Sequence, residues 1–191
     1  MNLKTIIYDY GGVIMTSSQE EAVRRFSEIG IVSDLMPLDK YNQQGVFQAL
    51  EDGTITADEF RDELNRRCGR NNTHDDYRWA CLGYVGEIPK RNLQLFRLLR
   101  QKGYRQLLLS NTNPYMMSWA MSPDFDGEGR ALCDYLPDFV DFCKLKFWHL
   151  IISRLENDFR VIWVTHGFFV PLQHVRAKEE KPFWFCQRSG S

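Results

Sequence analysis

Short apolar runs alternate with amphipathic segments along the first two thirds of the 191-residue chain. Residues 4–9 form a β-branched and aromatic run closed by Gly11-Gly12, and the apolar run 104–113 ends in a polar cluster. Both patterns predict short buried strands. Between them, helical spacing of apolar residues predicts amphipathic helices over 19–29 and 87–102. Strand, helical segments and strand in this order indicate an α/β domain with a parallel sheet.

The segment 43–69 predicts two further short helices around a turn at Asp52-Gly53. Thr56 and Glu59 have the spacing of a capping box, which opens the second of these helices, and Gly69 is placed to end it. The methionine-rich stretch 115–129 has two interpretations. It is either the lining of a site or dimer surface, or a core helix followed by a loop.

Composition narrows the class of protein. The formal net charge is −1, which indicates neither a nucleic-acid partner nor a membrane surface. The five cysteines are scattered without a C-x-x-C pair, which favours a reducing compartment over a zinc site or a disulfide framework. Neither a signal-peptide pattern nor an apolar run of membrane-spanning length is evident. We therefore expect a cytoplasmic globular protein.

Polar residues follow both predicted strands. Asp9 comes at the end of the first strand, and the cluster beginning at Ser110 ends the second. Ligands of open parallel sheets bind beyond the carboxyl ends of the strands, so both residues could face one crevice. There, an aspartate can attack phosphorus and a hydroxyl can hold phosphoryl oxygens. The competing interpretation is that Asp9 caps a turn and Ser110 caps a helix.

Together, "IIYDYGGVI" and "LLLSNTN", about a hundred residues apart, resemble the haloacid dehalogenase-like (HAD) hydrolase superfamily. The resemblance is to phosphatases with a D-F-G-G-V-I type first motif and covers about residues 1–135. It implies a Rossmann-like parallel-sheet core from residues 1–16 and 86–191, with a small helical cap, residues 17–85, inserted after the first strand. It also implies magnesium-dependent hydrolysis of a small phosphorylated metabolite.

The resemblance assigns roles to four residues. Asp9 matches the nucleophile and a metal ligand, and Gly11 matches the position whose backbone carbonyl binds the Mg²⁺ ion. Ser110 matches the phosphate-binding residue of the second motif, with Asn111 beside it. Most superfamily phosphatases carry a general acid two residues after the nucleophile, where this chain has Gly11. Superfamily dehalogenases also lack that acid, so a carbon–halogen substrate stays an alternative.

The chain departs from the family after residue 138. Residues 139–191 hold eight of the 13 Phe but no Tyr, and their eight basic residues outnumber five acidic ones. The third motif of the family, Lys-Pro-Asp, is absent in clear form; Lys144 and Lys146 lie in about the right region. The strand-like run 161–167 has Thr165 and His166 where the fourth motif has two acids. We expect His166 and His174 to be ordinary partly buried residues.

These departures leave open a second interpretation. The chain could be a catalytically impaired or non-catalytic relative with an altered C-terminus, produced by a shifted reading frame near residues 136–140 or by divergence. With Asp9 as the only carboxylate at the site, Mg²⁺ would bind weakly. Without the lysine, the charge between the nucleophile and the phosphate is unscreened. Neither the substrate nor the oligomeric state follows from the sequence.

Overall fold

The computed structural model describes residues 5–31, 44–108, 110, 112–136, 138–139, 161–165 and 168–171. Its centre is a sheet of five strands in the order β3-β2-β1-β4-β5. The strands are β1 Thr5–Tyr8, β2 Arg105–Leu108, β3 Asp138–Phe139, β4 Val161–Thr165 and β5 Phe168–Pro171. β1 pairs in parallel with β2 and β4, β2 pairs in parallel with β3, and β5 is antiparallel to β4. The predicted α/β class with a parallel Rossmann-like sheet is therefore confirmed.

Between β1 and β2 the described residues form five α-helices, and the first four of them, α1–α4, make up a helical insert. They are α1 Gln19–Glu28, α2 Gly45–Glu51, α3 Ala57–Cys68 and α4 His74–Cys81, and a short 3-10 turn at Leu82–Tyr84 follows. Helix α5 Lys90–Gln101 precedes β2, and α6 Pro114–Ala120 and α7 Leu132–Tyr135 follow it. No helix of these described ranges is long and apolar enough to cross a membrane.

Helix ends follow the local sequence. The predicted capping box is present at α3, where the Thr56 hydroxyl accepts from the Glu59 N–H and the Glu59 carboxylate accepts from the Thr56 N–H. Gly69 ends this helix with a φ of 60°, a left-handed conformation that favours glycine. The helix predicted over 87–102 begins later, at Lys90, because Pro89 is its N-cap.

The chain passes from the sheet to the insert near Ser17 and returns near Val85, and these two connections lie side by side. Ser17 and Val85 form an antiparallel bridge, and the Thr16 N–H donates to the Glu87 carbonyl over 2.9 Å. The Glu87 N–H returns a hydrogen bond to the Thr16 hydroxyl over 2.8 Å. Beside this bridge, a Cβ added at Gly83 would lie 2.6 Å from the Cα of Ala22, so only glycine lets the 3-10 turn pack this closely on α1.

Aromatic rings join the insert to the rest of the core. Phe60 is fully buried and contacts the rings of Phe47, Tyr77 and Tyr115 with centroid separations of 5.1, 5.6 and 6.2 Å. Tyr115 belongs to α6, which follows β2, while the other three rings belong to the insert. In α6 the methionines and Tyr115 are buried, so the core-helix interpretation of the stretch 115–129 is the correct one.

Candidate active site

Asp9 lies directly after β1, at the edge of the sheet where the parallel strands end. All four residues of β1 are buried, whereas Asp9 is only partly buried. Its Oδ1 accepts a hydrogen bond from the backbone N–H of Tyr10 over 2.7 Å, which fixes the start of the following turn. A partly buried carboxylate at this edge is placed where ligands of α/β sheets bind.

A tight turn carries Gly11 beside Asp9. The Ile14 N–H donates to the Tyr10 carbonyl over 3.0 Å, and Gly12 adopts a φ of 76°. The side chain of Asn92 on α5 donates to the Val13 carbonyl over 2.8 Å and holds the turn from outside. The sequence did not predict this role for Asn92, because 79 positions separate the two residues and an isolated helical asparagine carries no recognisable motif.

Tyr10 lies in the hydrophobic core next to the candidate nucleophile. The residue is 1 % exposed, and burial raises the pKa of its phenol above the ordinary value. Among the described residues its hydroxyl has no hydrogen-bond partner. Tyr10 is therefore a neutral, rigidly packed residue that anchors one side of the turn.

Ser110 lies two residues beyond the end of β2. Because Tyr8 and Leu108 are partners in the parallel register of β1 and β2, Asp9 and Ser110 leave neighbouring strands at the same edge of the sheet. Ser110 is buried. The interpretation of Ser110 as a helix cap is wrong: Asn113 caps α6, and its Oδ1 accepts from the Met116 N–H over 3.0 Å.

The other neighbour of β1 is β4, the strand predicted in the run 161–167. In their parallel register Tyr8 is opposite Val164, so Thr165 follows at the level of Asp9. A threonine thus ends the strand at the position where the resemblance leads one to expect an acid. The described residues contain no group of three or more histidines, cysteines or acids that could hold a metal ion.

Several residues singled out in the sequence lie outside the described part of the chain. They are Asn111, Lys144, Lys146, His166 and His174. Asp9, Gly11 and Ser110 are described, and the turn and the two strand ends bring them to one edge of the sheet.

This topology defines an α/β fold with a largely parallel sheet, and solved structures identify the family. The chain has a TM-score of 0.73 and 33 % identity to a protein from Porphyromonas gingivalis described as a predicted HAD-like family hydrolase, covering 85 % of this chain and 82 % of that one. A HAD family enzyme from Bacteroides thetaiotaomicron, solved as a magnesium complex, gives a TM-score of 0.70 at 25 % identity, over 85 % and 83 % of the two chains. The chain belongs to the HAD-like hydrolases.

A curated relative has a known activity. Over 133 residues the chain is 46 % identical to the D-ribitol-5-phosphate phosphatase of Bacteroides thetaiotaomicron. The match covers 70 % of this chain and 64 % of the relative, so the chain spans less than two thirds of that protein's length. No protein-family model matches the chain.

Proposed function

We propose that the chain is a phosphatase that hydrolyses a small phosphorylated metabolite through an aspartyl-phosphate on Asp9. The observation that carries the proposal is the placement of Asp9 and Ser110 at the ends of two neighbouring parallel strands. The curated relative, a D-ribitol-5-phosphate phosphatase, supports a phosphorylated polyol as the first substrate to test. The alternative, a non-catalytic relative with an altered C-terminus, finds no support among these relatives.

In the proposed reaction a carboxylate oxygen of Asp9 attacks phosphorus, and the bond from phosphorus to the leaving alcohol oxygen breaks. That oxygen takes a proton from water, because Gly11 occupies the position of the usual acid. Water then hydrolyses the aspartyl-phosphate, which releases inorganic phosphate and restores the carboxylate. The Ser110 hydroxyl donates to a phosphoryl oxygen and holds the group in line with Asp9.

We propose Mg²⁺ as the cofactor, in line with the magnesium complex of the structural relative. Asp9 and the Gly11 carbonyl are the ligands that the described residues offer. Mg²⁺ keeps several waters and is held by one or two carboxylates together with substrate phosphate, so this set would bind the ion weakly until the phosphorylated substrate adds its own oxygens. When bound, the ion would neutralise the charge that develops on the phosphoryl oxygens.

We also propose that residues 17–85 act as a cap over this edge of the sheet. The bridge between Ser17 and Val85 supports these boundaries, because it pairs the two crossings of the chain. In this arrangement the insert faces the leaving group and selects it, while the sheet edge binds the phosphate.

The test measures phosphate release from ribitol 5-phosphate and from an aryl phosphate, with and without Mg²⁺. We expect magnesium-dependent turnover, which Asp9→Asn reduces by about 10³-fold or more. Ser110→Ala should reduce it by roughly 10²-fold. Ser118→Ala, an exposed serine on α6, is the matched control and should leave the rate unchanged. Turnover that survives in a cooperatively folding Asp9→Asn variant would exclude the aspartyl-phosphate.

A further inference from the structure

Three helices meet at the imidazole of His74. His74 is the first residue of α4, and its Nδ1 lies 2.9 Å from the hydroxyl of Tyr115 on α6. Its Nε2 lies 2.9 Å from Oδ1 of Asp58 and 2.6 Å from a guanidinium nitrogen of Arg61, both on α3. Asp58 and Arg61 also pair with each other over 3.2 Å. One ring therefore connects two helices of the insert with the helix that follows β2.

The chemistry of these groups assigns the proton positions. Nδ1–H of His74 donates to the Tyr115 hydroxyl, which donates in turn to the Ala57 carbonyl over 3.3 Å. Burial raises the pKa of the Tyr115 phenol, so this hydroxyl keeps its proton. At Nε2 the two candidate partners differ, since Arg61 can only donate and the Asp58 carboxylate can only accept.

The position of Tyr115 ties this network to the candidate active site. Tyr115 lies five residues after Ser110 and in the first turn of α6, whose N-cap is Asn113. Its ring is buried and contacts both Phe60 and the imidazole of His74, with centroid separations of 6.2 and 5.9 Å. A shift of the insert would therefore pull on the helix that begins four residues after Ser110.

We propose that Tyr115, His74, Asp58 and Arg61 form a latch that positions Ser110 relative to the helical insert and that holds in both protonation states of His74. In the neutral state Arg61 donates to Nε2. In the protonated state Nε2–H donates to Asp58 instead. Tyr115 and His74 are then residues that position Ser110 for catalysis. This positioning role rests on the proposed function, whereas the existence of the latch is independent of it.

The charged groups around the imidazole limit the exchange at Nε2 to two partners, Asp58 and Arg61. From α3, only Asp58 and Arg61 face the imidazole among the described residues, and from α6 only Tyr115 does. Asp62 pairs with the far side of Arg61 over 2.8 Å and keeps this guanidinium in place when the imidazole is protonated. The hydrogen bond with His74 also lowers the pKa of the Asp58 carboxyl, so Asp58 stays an acceptor.

Amide hydrogen exchange of residues 114–120 tests the latch without any need for turnover. We compare wild type and variants at about pH 5.5 and about pH 8.5, on either side of the range in which histidines change charge. Tyr115→Phe keeps the ring and removes the hydroxyl. It should speed exchange in α6 about fivefold at both pH values, the ratio expected for one lost hydrogen bond, while amides of α5 serve as the internal reference.

Two further variants separate the partners of Nε2. Asp58→Ala should speed exchange in α6 only at the lower pH, and Arg61→Met only at the higher pH. Glu20→Ala is the matched control for Asp58→Ala, because each acid is the second residue of its helix and exposed. It should leave α6 unchanged at both pH values.

The result that would overturn the proposal is equal exchange in wild type and Tyr115→Phe, or an effect of Asp58→Ala that is the same at both pH values. Where wild type hydrolyses phosphate esters, kcat/KM of the same variants should fall with the same pH pattern. An inactive wild type that still shows the exchange pattern would refute the proposed function and keep the latch. An active wild type without the exchange pattern would refute the latch and keep the proposed function.

Discussion

Glu51, the last residue of α2, should make the protein less stable as the pH rises. Its side chain is partly buried, and burial together with the neighbouring charge of Asp52 raises the pKa of the carboxyl from 4.5 to about 8. Within the described residues no hydrogen bond or opposite charge offsets this shift of the Glu51 pKa. Replacement by glutamine keeps the shape of the side chain and removes the titration.

The size of the effect follows from the two pKa values. The unfolded chain releases the proton of Glu51 near pH 4.5, whereas the folded chain keeps it until about pH 8. Between these limits the unfolded state binds fewer protons, so the free energy of unfolding falls by about 1.4 kcal/mol per pH unit at most. Water near the partly exposed carboxyl reduces this slope, and we expect a total loss of about 2 to 3 kcal/mol.

Urea denaturation of wild type and Glu51→Gln between pH 5 and pH 8 measures this difference. The two proteins should differ least near pH 5, and the variant should be more stable by about 2 to 3 kcal/mol near pH 8. Asp52→Asn should flatten the wild-type slope, because it removes the second cause of the raised pKa. Glu87→Gln, at an exposed position, should leave the slope unchanged. Parallel curves for wild type and Glu51→Gln would refute the argument.

Three smaller changes test local packing, helix capping and a buried hydrogen bond by urea denaturation. Gly83→Ala should destabilise the protein by at least about 2 kcal/mol, because the new Cβ would overlap the backbone of Ala22. An unchanged urea midpoint would contradict this close approach of the two backbones. Asn113→Ala should cost about 1 kcal/mol through the lost cap of α6, whereas Asn113→Ser should restore most of it. Asp126→Asn should reduce the free energy of unfolding by about 1 to 3 kcal/mol, because this buried carboxylate accepts a 2.6 Å hydrogen bond from the Tyr135 hydroxyl. Equal stability of the two proteins would show that the amide oxygen replaces the carboxylate fully as an acceptor.

The sequence predicted the elements whose ends are encoded locally. Helix α1 was expected over 19–29 and spans Gln19–Glu28, and α3 begins at the predicted capping box and ends at Gly69. Helix α4 was not predicted, although Thr73 and Asp76 form a capping box of the same kind. Its eight residues are too few for a clear apolar period, so the cap was the only available signal.

The candidate site was predictable only in part. Asp9 and Ser110 could be assigned to one edge because two parallel strands that each end in polar residues must place them there. The strand order could not be derived in this way, because it depends on pairing between segments that are far apart in the chain, such as Thr5 on β1 with Val161 on β4. The contacts of Asn92 and His74 join residues from different helices and turns, and no local pattern marks such pairs.

The bridge between Ser17 and Val85 makes the insert an exchangeable module. Paired strands lie roughly 5 Å apart, a gap that a two-residue turn can close. The intervening residues could therefore be excised, or exchanged for another helical unit with equally spaced ends, while the path of β1 and β2 stays the same. Under the proposed function, a new helical unit joined at this pair of ends would bring a new leaving-group selectivity to the edge that we propose binds the phosphate.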